Sequence, residues 1–186
     1  EVCGVYRERE VDDQGRPTAD VLHVVARTFG APRAYFYRKR VNDSPWTAWE
    51  KIDLDIEGDA LIPVVWNRRL FLFWTVISDA VEPKSLTMPG SGQAVQEPRK
   101  TWKVRMAWSE RKGKAWTPKR MTRQSHTMFW WVALFSPQDR LVLSSHFLGD
   151  DLVILLRMYD NFQGDEVWAK AGVFVFPAEG AEPFFN

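Results

Sequence analysis

Cysteine is almost missing from this sequence of 186 residues: Cys3 is the single example, so no disulfide can close within the chain. A chain of this size without disulfides must be held by its own core or by neighbouring domains. A surplus of one charge is missing too, with 25 basic residues against 24 acidic ones and a net charge of +1. That balance excludes a global field able to collect nucleic acid or an anionic membrane, so partners have to be sought in local features. Apolar runs stop after a handful of residues, far short of the roughly 20 that a membrane-spanning helix needs. Direct membrane insertion by this segment is therefore not expected. No basic stretch followed by an apolar core opens the sequence, and Glu1-Val2-Cys3 lacks an initiator Met. The expectation is an excised segment of a longer polypeptide, without a classical signal peptide of its own.

Catalytic signatures are missing as well. There is no G-x-S-x-G, no H-E-x-x-H, no phosphate-binding loop and no C-x-x-C. His23, His126 and His146 are the only histidines and stand far apart in sequence, none at a metal-ligand spacing. No cofactor and no metal are expected.

What is present is aromatic. Ten tryptophans and twelve phenylalanines accompany a composition that is 45% hydrophobic and 26% charged, which is that of a globular domain. Aromatic residues favour pleated, half-buried surfaces, and they also form platforms for sugars when exposed. Apolar positions recur with a period of two or in short continuous runs, without long helical periodicity. Leu22–Arg27, Tyr35–Val41, Trp102–Trp108, Met128–Phe135, Arg140–Phe147, Leu152–Tyr159 and Val167–Phe176 all read as strands, with Arg140–Phe147 pairing with Leu152–Tyr159 around Gly149-Asp150-Asp151. The clearest hairpin joins Leu61–Trp66 to Arg69–Trp74 through Asn67-Arg68, where Asn67 tolerates the left-handed backbone of a tight turn. Its second arm is apolar on both faces, which predicts a central strand covered on both sides. Residues 79–100 hold Pro83, Pro89, Pro98, Gly90 and Gly92 and predict a mobile, solvent-exposed loop. A strand, a polar turn and a Trp-Thr pair occur twice, at Trp46-Thr47 and Trp116-Thr117, each followed by an apolar hairpin. The whole predicts one all-β domain over 1–186 made of antiparallel sheets arranged as propeller-like blades, with a β-sandwich as the alternative.

Three blocks carry a resemblance. They are Ala34-Tyr35-Phe36-Tyr37-Arg38, then Trp46-Thr47-Ala48-Trp49-Glu50-Lys51-Ile52-Asp53, then Ile62 to Trp74. In that order they are similar to the neuraminidase-like region of the A subunits of Tc-type insecticidal toxins, and the likeness runs from about Leu22 to Tyr159. The resemblance implies a secreted, pore-forming, protein-translocating homopentamer in which this region belongs to the outer shell. It also implies contacts with other domains of the same subunit and with neighbouring protomers, shell opening after a pH change, and attachment to a host glycan or glycoprotein as a second role. A sialidase needs an arginine cluster, a Tyr-Glu nucleophile pair, an acidic Asp and a propeller about twice this length to hold them. The Asp-box pattern is missing, since Ser44-Pro45-Trp46-Thr47-Ala48-Trp49 keeps the aromatic without the Asp or Gly. The expectation is a non-enzyme.

Two sets of residues stand out as candidate sites. Asp53, Asp55, Glu57 and Asp59 alternate with apolar residues and would line one face of an extended strand. Like charges so placed repel, so that face wants water, a calcium ion, or arginines and lysines such as Arg38, Lys39 and Arg40. Crowded carboxylates and histidines take up protons as pH falls, which makes these four and His23, His126 and His146 candidates for a pH-sensing contact. Trp46, Trp49 and Trp116 flank turns and are the candidates for glycan contact. Trp66, Trp74, Trp102 and Trp108 lie within apolar strands and are expected in the core.

Overall fold

The computed structural model describes residues 1–81, 100–128, 141–162, 165–178 and 180–185. Among them there are fourteen strands and no helix. In chain order they are β1 (Val2–Val11), β2 (Pro17–Arg27), β3 (Tyr35–Val41), β4 (Glu50–Ile52), β5 (Leu61–Trp66), β6 (Arg69–Val81) and β7 (Lys100–Lys112). Then follow β8 (Ala115–Trp116), β9 (Arg120–Met121), β10 (His126–Met128), β11 (Leu141–Leu148), β12 (Asp151–Phe162), β13 (Asp165–Phe176) and β14 (Phe184–Phe185).

The strands form three antiparallel meanders, none of them closed: β1-β2-β3-β4, then β5-β6-β7-β10 with β8 and β9 also on β7, then β11-β12-β13-β14. The predicted hairpin is present with Trp66 opposite Arg69. Asn67 and Arg68 both take positive φ, 50° and 58°, the backbone that a two-residue turn needs to match strand twist. The hairpin at Gly149-Asp150 is present too, pairing Leu148 with Asp151.

Strand β6 explains why there are three layers. Its Phe71 and Phe73 join a core shared with the third sheet, against Leu152, Ile154, Leu156 and Phe176. Its Leu72, Trp74 and Val76 point the other way, into a second core with Val25, Tyr35, Tyr37 and Ile52 of the first sheet. A strand apolar on both faces is stable only with cover on both sides, as the sequence predicted. Each such side chain removed from water contributes roughly 1.5–3 kcal/mol. Opposite Trp74 on β7 stands Ala107, also fully buried, so the large indole is accommodated by a small neighbour.

The repeated Trp-Thr pair has a structural meaning. Thr47 donates its N–H to the Lys39 carbonyl at 2.9 Å and accepts the Lys39 N–H on Oγ1 at 3.0 Å. Thr117 does the same to Glu110, at 2.9 Å in each direction. In both sheets one threonine therefore satisfies both backbone groups of a strand residue, ending the ladder without an unpaired edge.

The first strand of each meander lies innermost, with β1 and β11 both packed against β5. The approach is close enough that a Cβ on Gly4 would meet Leu61 Cδ1 at 2.8 Å and Pro63 Cδ at 2.9 Å. Pro63 is tolerated because β5 is an edge strand. Two expectations shift. The ends of the loop predicted at 79–100 are strand, because Asp79 pairs with Trp102 and Val81 with Lys100, while 82–99 lies outside the described residues. Of the strand predicted at Met128–Phe135, only Met128 falls within them, as the end of β10. Replacing Ala107 by Leu overfills the space beside Trp74 and is expected to cost about 1–3 kcal/mol, read as a lowered midpoint of urea unfolding.

Candidate functional site

A buried histidine lies on the inner face of the first sheet. His23 interrupts the apolar run of β2 and points the same way as Val25, into the second core. Only 4% of it is exposed. Its Nδ1 lies 2.9 Å from Tyr37 Oη on β3 and its Nε2 lies 3.4 Å from Glu8 Oε2 on β1. Beyond Tyr37 the chain of contacts continues. The Arg111 guanidinium of β7 sits 4.6 Å over the Tyr37 ring and forms an ion pair with Glu50 of β4. Trp116 meets Tyr37 edge-on at 6.1 Å. Five strands thus contribute to one line of groups, Glu8–His23–Tyr37–Arg111–Glu50, that joins the first sheet to the second.

Burial sets the electrostatics here. It lowers the His23 pKa below the ordinary 6.5, with the neighbouring Glu8 opposing and Lys39 and Arg111 reinforcing the shift. It also pushes the Tyr37 phenol up to about 12. A tyrosine only 1% exposed and held protonated has neither the access nor the acidity of a nucleophile. Cys3 is similar in kind, its thiol pushed up to about 11 by burial and directed at the Val25 carbonyl. It borders a groove of about 400 Å³ between β1, β5 and β11 that is lined by Val2, Val5, Leu61 and Leu143 and has Arg27 and Asp59 at its rim.

The acidic candidates are not brought together on one strand face. The strand ends at Ile52, and residues 53–60 form an irregular connection turned at Gly58, whose φ is +82°. Each carboxylate is instead paired with a nearby cation. Asp53 pairs with Lys51 at 2.9 Å, and Asp55 and Glu57 share Lys119 at 2.7 and 3.0 Å. Asp59 lies between Arg27 and Arg33. None of the three expected partners, Arg38, Lys39 and Arg40, is used. Hydrogen bonds that Lys119 donates to Asp55 and then Glu57 raise its pKa, so the clasp holds a firmly charged ammonium. Among the described residues no three His, Cys, Asp or Glu side chains converge as metal ligands. The other two histidines lie apart from this group and from each other. His126 is half-buried on β10, and His146 is exposed on β11, 3.5 Å from Ser144 Oγ.

The tryptophan candidates are engaged by the protein. Trp46 and Trp49 hold the Arg38 guanidinium between them at 4.4 and 4.2 Å from the ring centroids, and Arg40 also reaches Trp46 at 5.4 Å. Trp49 remains exposed, Trp46 is half-buried, and half-buried Trp116 packs on Tyr37. Arg38, expected to face the acidic run, is instead stacked between two indoles. Trp74 and Trp108 are buried as expected, whereas Trp66 and Trp102 are half-buried, Trp66 donating its indole N–H to the Asp150 carbonyl at 2.8 Å. Glu8, Tyr37, Arg111, Glu50 and Lys119 were not singled out from sequence. The signal for the first two was a histidine inside an apolar strand, which demands polar partners on the adjacent strands.

Comparison with known proteins gives a family and a fold relative. Residues 1–134 match the neuraminidase-like domain family. The fold resembles a chain in the cryo-EM structure of Morganella morganii TcdA4, with a TM-score of 0.60 and 13% identity over 100% of this chain. The match covers 8% of that chain, so the present sequence spans a small part of the relative's length. No curated protein matches.

Removing the shared cation by Lys119→Ala is expected to speed proteolysis within residues 53–59 several-fold. Global stability should change by less than about 1 kcal/mol, because exposed ion pairs contribute little.

Proposed function

Because the chain belongs to the neuraminidase-like domain family, we propose that it is a non-catalytic module in the outer shell of a Tc-type toxin A subunit and that acid loosens it. The parent protein on this reading is a secreted, pore-forming, protein-translocating homopentamer. The chain contacts other domains of its own subunit and neighbouring protomers. The likeness to TcdA4 along the whole chain supports this reading, since TcdA4 is a far longer protein.

The observation that carries the acid response is His23, buried between Glu8 and Tyr37 where the first sheet meets the second. In the fold its pKa lies below 6.5, while in the unfolded chain it returns to that value. Below pH 6.5 the unfolded state therefore binds more protons, and stability falls as pH falls. The contribution of the neutral ring is complete above pH 6.5 and is lost progressively below it, until the buried ring itself protonates. Asp53, Asp55, Glu57 and Asp59, held in ion pairs, and the outlying His126 and His146 are further groups through which a shell contact can respond to pH.

Glycan attachment through Trp46, Trp49 and Trp116 draws less support, because the rings are already packed against guanidinium groups or Tyr37. Catalysis draws less still, with Tyr37 closed from solvent.

Two experiments test the reading. A fluorogenic sialoside incubated with the protein at acidic and neutral pH should release no fluorophore above the blank, and turnover would defeat the non-catalytic part. His23→Gln keeps a hydrogen-bonding side chain without the titration. In urea unfolding, the drop in stability from about pH 7.5 to about pH 5.5 should shrink by at least half in this variant. An unchanged slope would remove His23 from the acid response.

A further inference from the structure

The outer face of the first sheet, turned away from the second core, is cationic and aromatic together. Residues that alternate with the inward Tyr6, His23 and Tyr37 put Arg7 and Arg9 of β1 and Arg38 and Arg40 of β3 on this side, across β2. The carboxylate of Asp20 lies among them, and that of Asp43 at their edge. Arg7 binds Asp20 directly, Nε to Oδ1 at 2.7 Å, and Arg7, then Arg9 and Arg40, hold its pKa low. Among the described residues no ion pair is made by Arg9, Arg38 or Arg40.

Two further observations concern Arg38 itself. The Arg38 guanidinium is clamped between Trp46 and Trp49, which restricts its rotamers before any partner arrives. Its Nε is buried with no acceptor in the protein, a donor left over by the fold. Beside it, Arg7, Asp20, Leu22, Arg40, Asn42 and Asp43 line a hollow of about 390 Å³.

From these we infer that the outer face of the first sheet docks an acidic polypeptide surface of a neighbouring domain or protomer, whose carboxylates meet Arg38 and Arg40 while an apolar side chain packs on Trp49. The inference rests on the reading of the chain as one module of a larger assembly and names the contact. Tryptophan and arginine are the residues most enriched at the energetic centres of protein interfaces, and arginine pairs carboxylates through a planar fork. A sugar would need free ring faces, and Trp46 and Trp49 turn faces onto guanidinium groups. A nucleic acid would meet a chain of net charge only +1, without the extended basic field that such ligands require.

The test uses a fluorescein-labelled deca-glutamate peptide as probe and anisotropy as readout, with an oligogalacturonate of equal charge in parallel. The 186-residue chain should bind the peptide at low salt and lose binding at high salt. Arg40→Gln, an exposed position whose replacement leaves the fold intact, should weaken binding about tenfold. Lys103→Gln, an exposed lysine of β7, should leave it within about twofold. Trp49→Ala should weaken binding as well and gives a second reading independent of charge. Equal effects of Arg40→Gln and Lys103→Gln, or no binding by the parent chain, would overturn the proposal. Tighter binding of the oligogalacturonate would overturn it in favour of an acidic glycan. Failure here leaves the acid response at His23 untouched, so the shell-module reading and the named contact fall separately.

Discussion

A strand with large apolar side chains on both faces cannot stand at a surface, and β6 is such a strand. Phe71 and Phe73 on one side and Leu72, Trp74 and Val76 on the other require a sheet above and a sheet below. The remaining architecture answers that requirement. The first sheet offers Val25, Tyr35, Tyr37 and Ile52, and the third offers a stack of leucines, Ile154 and two phenylalanines. Small residues are placed where the layers come closest, Ala107 beside Trp74 and Gly4 where β1 crosses β5. With no disulfide possible, these two cores and the contacts at their margins carry the stability.

Polar groups are distributed around that frame by the same geometry. The inward side of the first sheet carries His23, Glu8, Tyr37 and the incoming Arg111, and burial keeps the His23 ring neutral and the Tyr37 phenol protonated. The connection from β4 to β5 leaves the sheet, and its acids are consequently governed by single cations reaching in from elsewhere: Lys119 from beyond β8, Arg27 from β2 and Arg33 from the turn before β3. The outward side of the first sheet collects guanidinium groups with little to neutralise them. One sheet therefore presents two different electrostatic characters, a desolvated one within and a cationic one without.

The all-β class, the hairpin at Asn67-Arg68, the pairing around Gly149 and the double-faced burial of β6 were legible because each follows from a local rule: side-chain alternation, turn chemistry or the need for cover. The Trp-Thr repeat was legible as a pattern, but its reason, one threonine satisfying both backbone groups of a strand residue, needed coordinates. The acidic run was misread because alternation was extended past Ile52 into residues 53–60, where Gly58 turns the chain and no strand partner exists. The ion-pair partners were misassigned for a related reason. Lys119 lies 62 residues from Glu57, and separations of that length depend on how sheets stack. Arg38 was missed because its sandwich requires Trp46 and Trp49 to fold back over the sheet, which period and composition do not encode.

The order of the strands also bears on how the chain acquires its shape in time. Within each meander almost every strand pairs with its predecessor, so most ladder contacts join segments near in sequence, a topology that lowers contact order and favours quick closure of hairpins. During synthesis β1 to β4 can assemble before β6 has emerged. Until it does, the inner side of that first sheet, with Val25, Tyr35 and Tyr37, has nothing to lie against. The nascent chain thus passes through a stage in which an aromatic face waits for a strand still in the ribosome. That interval, more than the finished fold, is where a chaperone would find its purchase.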